Sequence, residues 1–388
     1  MKLAIVTETF PPEINGVAMT FGVIASELAR RGHSVAIYRP ARSDLSPADL
    51  VGEYRQIPMP GIPIPGYPLL RFGLPARGKL KRLWLADRPD LVHVATEGPL
   101  GFSAIRAARS LSMPVTSSFH TNFHAYTRHY GVSPLHRVAL AWLKYVHNLT
   151  RRTFVPTEDL RAELSSLGFS NLSVMSRGVD TRQFQPERRS ESLRAAWGAG
   201  PRDPVIIHVG RMAAEKNYPL LFRVFAAMKA ANPACRFVLA GEGPLKASLM
   251  RDHPDCVFAG FFSRDEIGRY YASADIYIHA SLTETFGNVL TEAMASGLAV
   301  AGFDYAAARI FVKEGKTGLK VPCDQPEALV AAGVRLATSP NLVGTFRRAA
   351  RAAVEAQSWE TVIARLERDL EAVAGLGRGT AVPAPALA

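Results

Sequence analysis

Two glutamates stand eight positions apart around a short turn. Glu284 comes directly before Thr285-Phe286-Gly287-Asn288, and Glu292 lies in the apolar run that follows. The turn predicts the start of a helix, where unpaired backbone N–H groups and the positive end of the helix dipole attract an anion such as a diphosphate. Glu284 would lie at the mouth of that anion site. Glu292, about two helical turns further on, would reach a different part of the same ligand, so one carboxylate suits sugar hydroxyls and the other a ribose.

The same pair also fits a helix that binds no ligand. Glu284 would then be a charge that complements the dipole at the helix N-terminus, and Glu292 a solvated residue. A pattern this short is weak by itself, so the residues around it and elsewhere in the chain must decide between the two interpretations.

Two cations follow another predicted strand. The apolar run 205–209 predicts a buried strand, and Arg211 and Lys216 come directly after it, five residues apart. Arg offers a planar fork of hydrogen-bond donors and Lys a compact point charge, a combination that can clamp a diphosphate.

A histidine and a glycine are candidates in the first half of the chain. His120 ends the predicted strand that begins at Val115, and the carboxyl ends of strands are where α/β proteins gather their sites. Gly16 lies in the loop between the first predicted strand and the first helix. The loop lacks the G-x-G-x-x-G fingerprint of dinucleotide binding. A structural histidine and a tight turn with positive φ are the alternatives.

The segment from Glu284 to Glu292 resembles the E-x7-E signature of retaining, nucleotide-sugar-dependent glycosyltransferases of family four, which have the GT-B fold. Residues 270–280 and 292–300 look like the flanking blocks of that family, and Gly210 to Lys216 matches its G-R-x-x-x-E-K motif. The resemblance covers residues 1 to about 374. The chain departs from the family pattern where a Gly-Gly pair is usual, since it has the bulkier loop 302–309 there.

The resemblance implies a set of roles. It implies that His120 contacts the donor sugar near the reacting carbon and that Gly16 lets the backbone approach the donor diphosphate. Arg211 and Lys216 would stabilise charge on the leaving diphosphate, and with His120 and Glu284 they form the implied catalytic group. The implied donor-binding residues are Gly16, Arg211, Lys216, Glu284, Thr285, Phe286, Gly287, Asn288 and Glu292. No D-x-D motif occurs in the chain, so we expect no metal and no cofactor beyond the nucleotide-sugar co-substrate.

The predicted fold class is α/β, with two Rossmann-like domains that the resemblance places across an interdomain cleft. We expect an N-terminal acceptor domain over residues 1–189 and a C-terminal donor domain over 190–358. A helix at about 359–374 is expected to pack back on the first domain, and residues 375–388, rich in Gly, Ala and Pro, are expected to be a disordered tail.

Positive charge is concentrated in the first half. The formal net charge is +12, and residues 1–189 hold 24 Lys or Arg against 14 Asp or Glu, whereas residues 190–388 hold 22 against 20. The excess suits an anionic membrane or nucleic acid, but no nucleic-acid motif accompanies it, so we expect no nucleic-acid partner. The scattered cysteines fit buried thiols, and the chain begins without the pattern of a signal peptide.

One stretch after a proline-rich loop alternates cations with apolar residues. Its basic residues are Arg77, Lys79, Lys81 and Arg82, and its aromatic residue is Trp84. On a helix these form an apolar stripe with a basic flank and an aromatic edge, as expected of a segment lying on an anionic lipid surface. An ordinary helix that packs its stripe inward is the alternative.

The first functional hypothesis is a retaining hexosyltransferase that makes a glycolipid. The donor is a UDP-sugar in preference to GDP-mannose, and the acceptor is a membrane lipid such as diacylglycerol. The chain most resembles the family's glycolipid-forming glucosyl and mannosyl transferases, which implies a cytoplasmic protein at the inner face of the plasma membrane. An α-mannosyltransferase that uses GDP-mannose, a transferase acting on a soluble or polysaccharide acceptor, a GT-B epimerase and a non-catalytic nucleotide-sugar binder remain alternatives.

Overall fold

The computed structural model describes residues 1–13, 15–42, 52–64, 67–120, 134–260, 262, 264–281 and 283–376. The chain divides into two compact units. The first comprises Met1–Arg177 and the C-terminal segment from Trp359, and the second comprises Gly178–Ser358. The predicted tail lies, from residue 377 on, outside the described residues.

The first unit is built on a parallel sheet with the strand order β3-β2-β1-β6-β7-β8-β9, and β4 and β5 form a separate antiparallel pair. The strands are β1 (Lys2–Val6), β2 (Ser34–Pro40), β3 (Arg55–Met59), β4 (Gly61–Ile64), β5 (Tyr67–Gly73), β6 (Leu91–Val94), β7 (Val115–Ser118), β8 (Arg152–Val155) and β9 (Leu172–Val174). The inner strands β1 and β6 are short, mainly apolar and buried, as is usual in a parallel sheet that is covered on both faces.

Helices cover both faces of this sheet. They are α1 (Gly16–Arg30), α2 (Arg77–Ala86), α3 (Pro99–Ser110), α4 (Pro134–Asn148) and α5 (Glu158–Ser166). Successive residues of β1 point to opposite faces: Leu3 and Ile5 pack with α1 in one core, and Ala4 and Val6 pack with α2 and α3 in another.

The second unit repeats this plan with a parallel sheet in the order β12-β11-β10-β13-β14-β15. Its strands are β10 (Val205–Val209), β11 (Arg236–Ala240), β12 (Val257–Gly260), β13 (Ile276–His279), β14 (Ala299–Phe303) and β15 (Gly318–Val321). Its helices are α6 (Glu191–Ala196), α7 (Tyr218–Ala231), α8 (Lys246–Asp252), α9 (Arg264–Ser273), α10 (Asn288–Ala295), α11 (Ala306–Phe311), α12 (Pro326–Thr338) and α13 (Pro340–Glu355). The predicted α/β class with parallel sheets is confirmed.

Residues 178–189, which the sequence assigned to the first domain, pack within the second unit. Phe184 is buried in a core of that unit, and its ring meets Tyr271 edge-on at 5.7 Å. Arg351 of α13 donates to the carbonyl oxygens of Thr181 and Phe184. These contacts hold the segment to the second unit although it follows the last strand of the first.

A single buried carboxylate ties the start of the second unit to its sheet. Asp275 accepts hydrogen bonds from Arg189 and Arg347 at one oxygen, and from Arg194 and the Val205 backbone N–H at the other, all within 3.0 Å. Multiple charge-assisted bonds of this kind compensate the desolvation of a buried charge.

The C-terminal helix α14 (Trp359–Ala374) belongs to the first unit. Its apolar side chains join the core that contains α1. Glu367 accepts hydrogen bonds from Arg31 at 3.0 Å and lies 2.6 Å from His33 Nε2, while Arg152 donates to Asp369 at 2.5 Å. No helix within the described residues is both long enough and apolar enough to cross a bilayer.

Candidate functional site

The centre of the candidate site in the second unit is a largely buried ion pair. Lys216 Nζ lies 2.6 Å from Glu284 Oε1, and only 16% and 13% of the two side chains are exposed. Lys216 ends a 3₁₀ turn that follows β10, and Glu284 lies in the loop after β13. Because β10 and β13 are parallel neighbours, their carboxyl ends bring the two loops together. Sequence positions 68 residues apart thus become one pair.

Surrounding groups keep Glu284 ionised. Burial by itself raises the pKa of Glu284, but the charge of Lys216, the neighbouring His279 and hydrogen bonds from Lys216 and Ser281 outweigh it, so the pKa is lowered. Burial, and to a smaller extent Lys216, lowers the pKa of His279 to about 4 although Glu284 opposes this. The site at neutral pH is therefore a carboxylate and an ammonium beside a neutral imidazole.

The predicted helix start after Glu284 is present. Helix α10 begins at Asn288, and its N-cap is Gly287, in the left-handed region at φ 92°, which has no side chain to cap the helix. The turn places Glu284 beside this N-terminus, since a Cβ on Gly287 would lie 3.7 Å from Glu284 Cγ. The donor groups and the dipole at this end of α10 suit an anion.

The residues of the predicted turn differ in how far their side chains are exposed. The Phe286 side chain is buried and meets Phe311 edge-on at 6.2 Å, so Phe286 offers its backbone to a ligand and its ring to the core. Thr285 and Asn288 are partly exposed.

Arg211 and the nearby glycine loops form the rest of this strand-end surface. Arg211 is exposed, with its Nε 4.0 Å from Glu215. The loop after β11 packs closely against the backbone on both sides of Arg211. A Cβ on Gly241 would lie 2.0 Å from the Gly210 carbonyl oxygen, and a Cβ on Gly243 would lie 2.4 Å from the Met212 carbonyl oxygen. Only glycine allows this approach, which places the loops after β10 and β11 side by side.

Glu292 is held by a buried tyrosine that the sequence did not single out as its partner. The Tyr271 hydroxyl donates to Glu292 Oε2 at 3.2 Å, and Tyr271 is fully buried. Burial raises the pKa of Tyr271 well above its ordinary value, with Glu292 adding to the effect, so the hydroxyl remains a donor. The contact fixes one oxygen of Glu292, which lies in the second turn of α10.

In the first unit, Gly16 is the first residue of α1 and is exposed. Its φ does not lie in the left-handed region, and a Cβ at this position would have no other atom within 4 Å. The backbone therefore does not demand glycine, which removes the tight-turn alternative and leaves open space beside the helix N-terminus.

A partly buried network fixes the loop before Gly16. Asn15 caps α1 by accepting from the Val17 and Ala18 N–H groups, and its amide donates to Thr9 at 2.6 Å. Thr9 donates in turn to Glu13, a buried carboxylate that pairs with Arg39 at 3.0 Å. The sequence offered no signal for Glu13 and Arg39, because the pair joins a loop to a different strand.

His120 lies just past the carboxyl end of β7 and contacts Arg177. Arg177 Nη2 is 2.9 Å from His120 Nδ1, and the rings of Phe21 and His120 meet in a T-shaped contact with their centroids 5.6 Å apart. Burial, reinforced by the positive charge of Arg177, holds the pKa of His120 well below its ordinary value. Arg177 falls in a block that the sequence analysis did not use for the site.

The membrane prediction for Trp84 is wrong. Trp84 is 0% exposed and packs edge-on against Tyr38 in the core beneath α2. The apolar stripe of α2 turns inward, as the alternative interpretation had it. Arg77, Lys81 and Arg82 remain exposed on the outer face of the helix, and Lys79 is half-buried and donates to the Pro58 carbonyl oxygen.

Exposed aromatic residues instead lie on α4. Trp142 is 44% exposed and Tyr145 is also exposed, with ring centroids 6.1 Å apart, and Val138 is exposed one turn before Trp142. Phe102 of α3 supports the two rings from below, 4.8 Å from Trp142. We call Val138, Trp142 and Tyr145 the α4 aromatic cluster.

Comparison with known proteins gives a consistent result. A family model described as Glycosyltransferase Family 4 matches residues 14–183, and one described as Glycosyl transferases group 1 matches residues 203–339. The chain is 32% identical over 383 residues to a GDP-mannose-dependent alpha-mannosyltransferase of Mycobacterium tuberculosis, with 97% of each chain covered. It is 28% identical over 318 residues to an alpha-monoglucosyldiacylglycerol synthase of Streptococcus pneumoniae, with 77% of this chain and 70% of that protein covered.

A solved structure agrees in fold. The structure of HepE of Anabaena in complex with UDP matches this chain with a TM-score of 0.76 at 18% sequence identity. The match covers 96% of this chain and 100% of HepE. This likeness shows the GT-B fold that the motif resemblance implied.

The ion pair makes a prediction about pH and stability. In the Lys216→Met variant, burial is no longer opposed by the lysine, so the pKa of Glu284 rises above that of the unfolded chain. A group with a raised folded pKa binds more protons in the native state, so it stabilises the fold as the pH falls. In urea unfolding, Lys216→Met should gain stability relative to Lys216→Met/Glu284→Gln as the pH falls from neutrality towards the ordinary carboxyl range, by up to about 1.4 kcal/mol for each unit by which the pKa is raised.

The wild-type chain provides the control. Its Glu284 pKa is lowered, so its contribution is lost only on acidification below the ordinary carboxyl range, and wild type minus Glu284→Gln should be flat over the same pH interval. A flat difference in the Lys216→Met background as well would contradict the ion pair.

Proposed function

The chain belongs to the family-4 glycosyltransferases, and from this premise we propose that it is a retaining, metal-independent hexosyltransferase whose nucleotide-sugar donor is held at the Lys216–Glu284 pair. The observation that carries the proposal is the pair itself, which lies largely buried at the strand ends of the second unit and beside the N-terminus of α10. An ammonium, a carboxylate and a helix N-terminus together match the parts of a sugar diphosphate.

Each group has a role in this proposal. Lys216 and Arg211 stabilise the negative charge that develops on the departing diphosphate, and the N–H groups from Phe286 to Asn288 add hydrogen bonds to it. Glu284 accepts from hydroxyl groups of the transferred sugar. Cations and backbone donors supply the charge stabilisation that other glycosyltransferases obtain from a divalent metal.

The remaining predicted residues keep the roles that the resemblance implied. Glu292, with one oxygen fixed by Tyr271, accepts from the ribose hydroxyls of the donor. Gly16 leaves room at the N-terminus of α1 for the donor diphosphate, and His120 contacts the donor sugar near its reacting carbon.

For the donor we place GDP-mannose first and UDP-sugars second. The mannosyltransferase relative is named for GDP-mannose and aligns over nearly the whole of both chains, which favours GDP-mannose over the preference drawn from motifs alone. A UDP-sugar remains the second candidate, because the motifs of the first half resemble those of enzymes that glycosylate diacylglycerol.

We propose a membrane lipid as the acceptor. The first unit carries the exposed cations of α2 and the exposed α4 aromatic cluster, and α3 packs against both helices. Cations with neighbouring aromatic side chains suit the headgroup region of an anionic bilayer. The diacylglycerol synthase relative is named for a lipid product, which agrees with this acceptor class. A protein at the inner face of the plasma membrane would meet both substrates.

Donor turnover tests the function. We expect release of GDP or UDP from one nucleotide sugar, unaffected by EDTA, and a fall of about 100-fold or more in kcat/KM for Glu284→Gln because a contact to the reacting sugar is lost. Glu327→Gln is the matched control, since Glu327 is an exposed glutamate of the second unit. Equal rates for Glu284→Gln and wild type would favour an epimerase or a binding protein.

Vesicle binding tests the acceptor. Removing two cations with Lys81→Gln/Arg82→Gln should weaken binding to anionic, diacylglycerol-containing vesicles by about tenfold or more, at roughly 1 kcal/mol per cation. Trp142→Gln should also weaken it. The second-unit variants Arg251→Gln and Met250→Gln, which change an exposed cation and an exposed apolar residue, serve as matched controls. Unchanged binding, with donor release that needs no vesicles, would move the acceptor to a soluble glycan.

A further inference from the structure

Arg177 is an unusual residue to find buried beside a histidine. Only 5% of it is exposed, and its guanidinium donates through Nη2 to His120 Nδ1 at 2.9 Å. Burial lowers the pKa of Arg177 to about 10, which still leaves it charged at neutral pH. The chain therefore keeps a buried cation in contact with an imidazole that the proposed function places at the donor sugar.

The direction of this hydrogen bond determines where the histidine proton lies. A guanidinium has five N–H donors and no acceptor, so Nδ1 must present its lone pair to Arg177. A neutral imidazole that accepts at Nδ1 carries its proton on Nε2. Nε2 is then a hydrogen-bond donor.

We infer that Arg177 is a positioning residue that holds His120 in the neutral tautomer with its proton on Nε2, so that His120 donates to an oxygen of the donor substrate. This inference rests on the proposed function, because it assigns a purpose to His120 within the transferase site. Under it His120 is neither a general base nor a cation.

The other groups that act on His120 support this assignment. His93 and His147 are buried, and both have lowered pKa values, His93 to about 3, because burial disfavours their charged forms. His93 contacts the hydroxyl groups of Thr116 and Ser118, and His147 contacts that of Ser117. Among the residues that the structure describes, Arg177, His93 and His147 act on His120, and each of them lowers its pKa.

The contact also has a mechanical consequence. Phe21 of α1 bounds the imidazole edge-on while Arg177 fixes one ring nitrogen, so the ring plane is restrained from two sides. A fixed ring points the Nε2–H in one direction. A donor held in this way can form a stronger hydrogen bond as negative charge develops on the substrate oxygen.

The tautomer can be read directly from the whole protein labelled with ¹⁵N-histidine. Two-bond ¹H–¹⁵N correlation spectra distinguish the two neutral tautomers, and the signal lost in His120→Gln assigns the residue. We expect the Nε2–H tautomer in the wild type at neutral pH and below the pH at which an ordinary histidine becomes charged, because the pKa of His120 is lowered. In Arg177→Met, a mixture of tautomers and a titration closer to the ordinary histidine range should replace it. An Nδ1–H or charged His120 in the wild type, or an unchanged spectrum in Arg177→Met, would overturn the inference.

Kinetics separate this inference from the proposed function. Arg177→Met should lower kcat by about tenfold to a hundredfold with little change in KM, because a misdirected donor weakens transition-state contacts. The same substitution in the His120→Gln background should lower kcat little further than His120→Gln does by itself. Arg161→Met, which removes an exposed arginine of the first unit, is the control. If wild type turns over no donor, the proposed function fails; if it does and Arg177→Met keeps its kcat, only this inference fails.

Should Arg177→Met fail to fold, the wild-type spectrum still decides the tautomer, and Arg177→Lys provides the kinetic variant. Lysine also donates and never accepts, so the Nε2–H tautomer and a kcat closer to wild type than that of His120→Gln should survive. A tautomer that reverses in Arg177→Lys would contradict the assignment of Arg177.

Discussion

The pairing of Lys216 with Glu284 is the interaction on which the candidate site depends. Each charge is largely withdrawn from water, and a buried charge without a partner is destabilising, so each side chain stabilises the charged form of the other. The pair also explains why the neighbouring loops are so constrained. Glycines 241 and 243 let the loop after β11 reach the backbone that leads to Lys216, and Gly287 turns the chain from Glu284 into α10.

The two units hold their candidate site residues at the strand ends by different interactions. In the second unit, opposite charges from adjacent strand ends meet directly. In the first, a partly buried network from Asn15 to Arg39 fixes the loop before α1, and Arg177 fixes the orientation of His120. Both use the carboxyl ends of parallel strands, where loops are free to carry polar residues because the sheet itself supplies the core.

The sequence predicted the α/β class, the parallel sheets and the strand-end position of Arg211, Lys216 and His120, because apolar periodicity and motifs are local. It predicted the wrong surface for Trp84, since an amphipathic stripe has the same spacing whether it faces a lipid or a core. The contacts of Tyr271 with Glu292 and of Arg177 with His120 join residues 21 and 57 positions apart. Such contacts depend on tertiary packing, which spacing in one sequence does not encode.

Calorimetric titration of free nucleoside diphosphates and of the matching nucleotide sugars tests the central claim most directly. If Lys216 binds the diphosphate and Glu284 binds the sugar, Lys216→Met should lower the affinity for both ligands by about tenfold or more. Glu284→Gln should bind the free diphosphate at least as well as wild type, since Lys216 loses its competing partner, while losing the added affinity that the sugar provides. Diphosphate binding that survives unchanged in Lys216→Met would contradict the account.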